Sequence, residues 1–284
     1  MKESETPRGS PVEPVATMTR SRNTSQVETA VAKRGARICF IPTAVAFLLW
    51  AAVPCSAADY YELRIYTVIS NKLDAVLQHF KETVEPVRQR HGVRTIGYWS
   101  APGSTNGGTF ASLVVAPSKE ELERRESAFG ADRQFQEAYA ASHKKHGETV
   151  ALIVTLPLAS DATATLDFES SQVARAFDLR IYSVLPGKLD LFRKRWRDVA
   201  VPIYRRHGLH SIGWWVGGRK DADGNDPFVC LLAGESVPGI LKSIGEFHKD
   251  ADWIRAEKET EAGGRLRSGV NAFKLLPTDF SALK

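Results

Sequence analysis

Tyr61-Glu62-Leu63-Arg64-Ile65-Tyr66-Thr67-Val68 returns as Phe177-Asp178-Leu179-Arg180-Ile181-Tyr182-Ser183-Val184, 116 positions later. At that offset, residues 61–99 and 177–215 agree at 15 of 39 positions without a gap. Lys72-Leu73-Asp74 matches Lys188-Leu189-Asp190, and Pro86 matches Pro202. Arg90-His91-Gly92 matches Arg206-His207-Gly208, and Ile96-Gly97-x-Trp99 matches Ile212-Gly213-x-Trp215. Further on the offset becomes 118, pairing Phe110, Phe129, Asp132 and Phe135 with Phe228, Phe247, Asp250 and Trp253. The two extra residues fall in a turn, where insertions are tolerated. A repeat of about 100 residues is a duplicated domain and not a solenoid turn.

Within the first copy the pattern reads β-α-β-β-α-β. Tyr60 to Val68 alternates and is rich in β-formers, a strand with Leu63 and Ile65 on one face and Glu62, Arg64 and Tyr66 on the other. Leu73, Val76, Leu77, Phe80, Val84 and Val87 recur at helical spacing over Lys72 to Arg90, with Asn71 as the expected N-cap. Pro86 inside that pattern should kink or divide the helix, and Gly92 suits the left-handed position after its end. Strands follow at Val93 to Trp99 and Phe110 to Val115, around a turn at Ser104 to Gly108. Ser118 and Asp132 are expected to cap two helical pieces, the second carrying Phe135, Tyr139 and His143. Thr149 to Leu156 is the last strand. The second copy repeats this order, with Leu189, Phe192, Trp196, Val199 and Ile203 as the helical stripe.

Such a unit is ferredoxin-like, and its sheet has one face without helices that must be buried against something. Two copies in one chain solve this. The expected fold is α+β, with tandem β-α-β-β-α-β repeats packed sheet to sheet as an intramolecular dimeric α/β barrel, helices outside. The domain plan is a disordered leader over 1–32, a signal peptide over 33–58, a first domain over 59–158, a linker over 159–174 and a second domain over 175–284.

Residues 1–32 are Ser-, Thr-, Pro- and Glu-rich and lack apolar periodicity. Lys33, Arg34 and Arg37 then precede the apolar run Ile38 to Val53 and the small residues Cys55-Ser56-Ala57-Ala58, the order of a secretory signal. Export to the periplasm or the outside is therefore expected, with membrane contact only through an uncleaved leader. Residues 1–57 hold 7 of 38 basic and 4 of 33 acidic residues, leaving 31 against 29 and a net of +2. No basic block remains, so no nucleic-acid partner is expected. Cys39 and Cys55 fall in the leader, leaving Cys230 in the apolar run Phe228 to Leu232, which reads as a packed core residue.

The motifs together resemble the NIPSNAP family: Glu62-Leu63-Arg64-x-Tyr66 near the start, Lys72-Leu73 after a turn, a helix ending Arg90-His91-Gly92, then Ile96-Gly97-x-Trp99. The second copy departs with Asp178 in place of Glu62. The resemblance spans both copies. It implies a dimeric α/β barrel whose halves usually come from two chains, and it names the fold better than the activity. Related barrels include haem enzymes, cofactor-free monooxygenases, isomerases and decarboxylating enzymes, which is analogy alone.

If Leu63, Ile65, Leu179 and Ile181 face the helices, then Arg64, Tyr66, Arg180 and Tyr182 face the barrel interior. An arginine beside an acid and a phenol can bind a small carboxylate or polarise a carbonyl; the alternative is a structural ion pair. Trp99 and Trp215 either roof such a pocket or pack as core. His91 and His207 close matching helices, where they complement the helix dipole or serve as proton-transfer groups. His143 and His146 are three apart, but no carboxylate-histidine set completes a metal site. No phosphate loop, nucleophile elbow or paired-cysteine motif occurs, and no cofactor is expected. The expectation is an exported double-domain protein that binds a small molecule or a protein partner; the alternative is a cofactor-free oxygenase or isomerase on a small aromatic or carboxylic compound.

Overall fold

Both copies of the repeated stretch become sheet-central strands. In the computed structural model, which describes residues 59–101, 108–161, 163–164, 166–168 and 176–284, β1 (Tyr60–Val68) pairs antiparallel with β3 (Gly108–Ala116) on one side and β4 (Val150–Ser160) on the other. Likewise β5 (Ala176–Val184) lies between β7 (Asp226–Gly234) and β8 (Arg267–Pro277). β2 (Arg94–Ser100) and β6 (His210–Gly217) border β3 and β7. The expected leader and signal peptide, and most of the expected turn before β3, lie outside the described residues.

The strands close in the order β1-β3-β2-β8-β5-β7-β6-β4. The two seams are short and equivalent: Trp99 and Ser100 pair with Pro277 and Leu276, and Leu158 to Ser160 pair with Gly217 to Trp215. β4 thus continues to Ser160, two residues into the expected linker, because those residues form the seam with β6. The segments that follow β8 and β4 extend the two seams. Leu283 N–H donates to the Ile96 carbonyl at 3.1 Å, and Asp167 N–H to the Ile212 carbonyl at 2.8 Å.

The barrel interior is apolar and drawn from both halves. Leu63, Ile65 and Leu179 pack there with Tyr61, Trp99, Phe177 and Trp215. Ring contacts cross between halves, Trp99 to Phe177 at 5.7 Å and Tyr61 to Trp215 at 5.6 Å. This corrects the expected facing of the repeated strands. The leucines and isoleucines point inward, and Arg64, Tyr66, Arg180 and Tyr182 point toward the helices. The interior closes on itself and offers a charge little to pair with, whereas the sheet–helix layer supplies carboxylates and hydroxyls. The Ile-Gly-x-Trp motif is a packing device: a Cβ on Gly97 would sit 2.4 Å from the Trp99 ring, and one on Gly213 2.5 Å from Leu166 and 3.1 Å from the Trp215 ring.

Helices cover the outside of each sheet. α1 (Leu73–His79) and α2 (Glu85–Arg90) are one continuous rod interrupted by a π-helical turn over Phe80–Val84. The Glu85 N–H reaches back five residues to the Phe80 carbonyl, and Pro86, which has no N–H to continue the ladder, sits in the first turn of α2. Pro202 repeats this after the π turn Trp196–Ala200, between α5 (Leu189–Arg195) and α6 (Val201–Arg206). The N-cap of α1 is Lys72 and not Asn71; Asn71 takes φ +61° in the turn before it. Ser118 caps α3 (Lys119–Gly130), and Asp132 caps α4 (Arg133–His146), accepting from the N–H groups of Gln134 and Phe135. Ser236 and Asp250 do the same for α7 (Val237–Lys249) and α8 (Ala251–Thr260). Among the described residues no helix is long and apolar enough to cross a membrane.

The chain leaves the first half through Asp161, which is buried and held by Arg193 of α5, with Arg193 Nη2 2.8 Å from Oδ1. Burial raises its pKa, but hydrogen bonds from Arg193 and Thr163 outweigh burial and bring it to about 2 from 3.8. A carboxyl whose folded-state pKa is depressed adds stability above its unfolded value and loses it as pH falls through the folded one. Asp161→Asn is therefore expected to flatten the acid limb of stability between about pH 4 and pH 2. Urea unfolding of both proteins across that range checks it; parallel acid limbs would refute it.

Candidate functional site

Between sheet and helices of the first half lies a cavity of about 440 Å³. Its floor is formed by side chains of the π turn and α2: Phe80, Val84 and Arg88, all buried. Phe129 closes one side, and Tyr139, Leu152 and Ile153 form an exposed apolar rim. Arg64 and Tyr66 enter from β1, and His79 and His143 complete the wall. The π turn sets the register of the floor, placing Phe80, Val84 and Arg88 on one face.

Two guanidiniums meet here. Glu126 of α3 lies 3.2 Å from Arg64 Nη1 and 3.3 Å from Arg88 Nη2. Glu62 holds Arg64 from its own strand, and Arg88 Nη1 donates to the Tyr98 hydroxyl at 3.3 Å. Glu62 and Glu126 stand beside the arginines and do not line the cavity. Burial works against both charges, and Arg88 also against that of Arg64, yet the pKa of each is raised. Glu126 and Glu62 do this for Arg64; Tyr98, Glu126 and Tyr66 do it for Arg88. Arg88 is only 2% exposed, and its Nε–H has no hydrogen-bond partner. A buried donor without a partner calls for an explanation. Burial lowers the pKa of His79, so its imidazole is neutral at pH 7.

The second half has a counterpart of about 70 Å³. Trp196, Tyr204 and Trp253 occupy the places of Phe80, Arg88 and Phe135 and fill most of the space. There Arg180 donates to Asp178 at 2.6 Å and to the Tyr182 and Tyr204 hydroxyls at 3.2 Å.

The singled-out residues therefore part company. Arg64 with Tyr66, and Arg180 with Tyr182, line separate cavities in separate halves. Trp99 and Trp215 stand on the opposite sheet face in the barrel core and touch neither cavity. His91 and His207 lie outside both and bind the helix-capping carboxylates Asp132 at 2.8 Å and Asp250 at 2.9 Å. Hydrogen bonds from Arg90 and His91 thereby hold the Asp132 carboxyl well below the ordinary carboxylate range. His143 lines the first cavity, 3.2 Å from Glu148; His146 does not. Among the described residues no group of three histidine, cysteine or acidic side chains is placed to hold a metal. Cys230 is buried against the second-half helices, and burial pushes its thiol well up. Arg88, Glu126 and His79 escaped the sequence reading. The signal for Arg88 was present, since it continues Phe80 and Val84 at spacings of four.

No curated protein matches the chain. The profile of the NIPSNAP family matches residues 61–158. A putative monooxygenase from Fusobacterium nucleatum is 10% identical, with a TM-score of 0.52 over 80% of this chain and 94% of that one. An anthrone oxidase-like protein is 13% identical, with a TM-score of 0.52 and the same coverages of 80% and 94%. A NIPSNAP-like domain protein from Burkholderia xenovorans is 19% identical, with a TM-score of 0.33 over 37% of this chain and 88% of that one. At such identities the first two speak for the fold alone, a dimeric α/β barrel spanning both halves. The domain over residues 61–158 thus matches the NIPSNAP family, and its motifs and topology agree with the profile.

Proposed function

We propose that the first half binds a small amphipathic acid, its carboxylate on Arg88 and Arg64 and its apolar body along Phe129, Phe135 and Tyr139. The observation that carries this is the Arg88 Nε–H, buried, charged and without a partner on the wall of a 440 Å³ cavity. A guanidinium is matched by a carboxylate in shape and charge, and the aromatic walls suit a ring or short chain. Isothermal titration with benzoate, naphthoate and octanoate, each against its neutral amide, tests the reading. The acids bind and the amides do not, and Arg88→Gln weakens binding by about ten-fold or more, the scale of one hydrogen bond to a charged group. Equal binding of acid and amide, or an unaffected Arg88→Gln, defeats it.

A second reading rests on His79. A neutral imidazole on the same wall can accept a proton from a bound acid, which suits a cofactor-free isomerase or oxygenase. Deuterium from solvent would then enter a bound substrate at a carbon beside its carbonyl, and His79→Gln would stop this without loss of binding. The Lys33 to Ala58 pattern supports action outside the cytoplasm, and mass spectrometry of the mature N-terminus tests that. The match of 15 positions in 39 supports descent of the second half from the same domain.

A further inference from the structure

We propose that the small second-half cavity is a binding site for a compact monovalent oxyanion of the size of formate or bicarbonate. Its wall carries Arg180, Arg195 and Arg267, with His248, Trp196 and Trp253. A void needs about 10–15 Å³ to hold one water, so about 70 Å³ takes a few waters or one anion of three or four heavy atoms.

Comparison with the first half shows what kind of space this is. Arg195 stands where the first half has His79, and His248 where it has Gly130. Arg267 faces Val184 across the sheet, as Val150 faces Val68. Had these changes served only to fill the cavity, apolar side chains would have done so without the cost of burying charge. All three instead carry hydrogen-bond donors.

The charges do not cancel. Asp178 is shared between Arg180 and Lys274 at 2.6 Å each, and Glu261 holds Arg195 at 3.0 Å. Arg267 makes no ion pair among the described residues and lies over the Tyr182 ring, 5.6 Å from its centre. Glu257 bears on His248 from α8. Arg180, Lys274, Arg195 and Arg267 therefore face Asp178, Glu261 and Glu257, an excess of one positive charge (4 − 3). None of the three carboxylates lines the cavity. Burial, then Arg180 and Arg267, lowers the pKa of His248, which leaves a neutral ring able to donate one N–H. The indole N–H groups of Trp196 and Trp253 are buried without a hydrogen-bond partner. His248 and Val270 are exposed at the edge, so a small ion enters without unfolding.

The inference stands on the second half alone and survives if the first binds no acid. Isothermal titration of the purified protein with sodium formate and sodium bicarbonate, at ionic strength held constant with sodium gluconate, tests it. Saturable binding is expected for formate or bicarbonate. Both R267Q and H248E, which places a negative charge at an exposed position, should weaken it by about ten-fold or more. Should R267Q fail to fold, H248E decides alone. Absence of saturable binding overturns the proposal, as does an affinity unchanged in H248E. So does loss of binding in R88Q with R267Q and H248E intact, which would place the ion in the other half.

Discussion

Asp178→Ala is expected to cost about 3–5 kcal/mol of folding stability, the scale of a buried ion pair broken from one side. Asp178 is fully buried and takes hydrogen bonds from Arg180 Nε and Lys274 Nζ, both at 2.6 Å. Its removal leaves two cations facing each other, one of them only 7% exposed. The Tyr182 and Tyr204 hydroxyls that receive Arg180 Nη1 offer dipoles but no charge. Glu62, the counterpart in the first half, keeps 16% of its side chain in solvent, and Glu62→Ala should cost less, about 1–2 kcal/mol. Urea unfolding of the two variants gives the comparison. Adding Lys274→Met to Asp178→Ala should restore part of the loss by removing one unpaired cation. Equal losses for the two acids, or no rescue, would mean that the pair is more solvated than its geometry indicates.

Trp99→Ala is expected to cost about 3–5 kcal/mol and to lower Tm by roughly 10 °C at the few degrees per kcal/mol usual for this chain length. Trp99 is 1% exposed in the barrel interior, where its ring meets Phe177 of the other half and folds back over Gly97. The neighbours on one side are strands fixed by hydrogen bonds, so the void can collapse only in part. Because that core is common to both halves, the loss should appear as one cooperative transition at lower temperature. Calorimetry decides. Two separate transitions, only one of them shifted, would show that the halves hold their own cores.

The repeat made the architecture legible: two β-α-β-β-α-β units, their order and their closure follow from motifs at fixed offsets. Facing was harder to read. Alternation along Tyr61 to Val68 separates Leu63 and Ile65 from Arg64 and Tyr66, but in a barrel wrapped by helices both faces are buried, and hydropathy does not say which is inner. β3 shows the difficulty in extreme form, since every residue from Phe110 to Ala116 is buried and no alternation survives. The cavity was less legible still. Its volume depends on side chains that meet from α1, α2, α4 and β4, and exchanges such as Phe80 for Trp196 and Phe135 for Trp253 read as conservative along the chain. Arg88 was hidden by its charge, because a stripe read for apolar residues passes over an arginine at the right spacing. The histidines at the helix ends were visible, but their carboxylate partners lie 41 and 43 residues away.

The closed ring of strands built from one polypeptide has an evolutionary consequence. Where such a ring forms from two identical subunits, any change in one lobe is copied in the other by the dyad axis. Covalent fusion lifts that obligation, so one lobe can stay roomy while the other shrinks around arginines and tryptophans. A single gene product can in this way divide its labour between two lobes without assembling a hetero-oligomer.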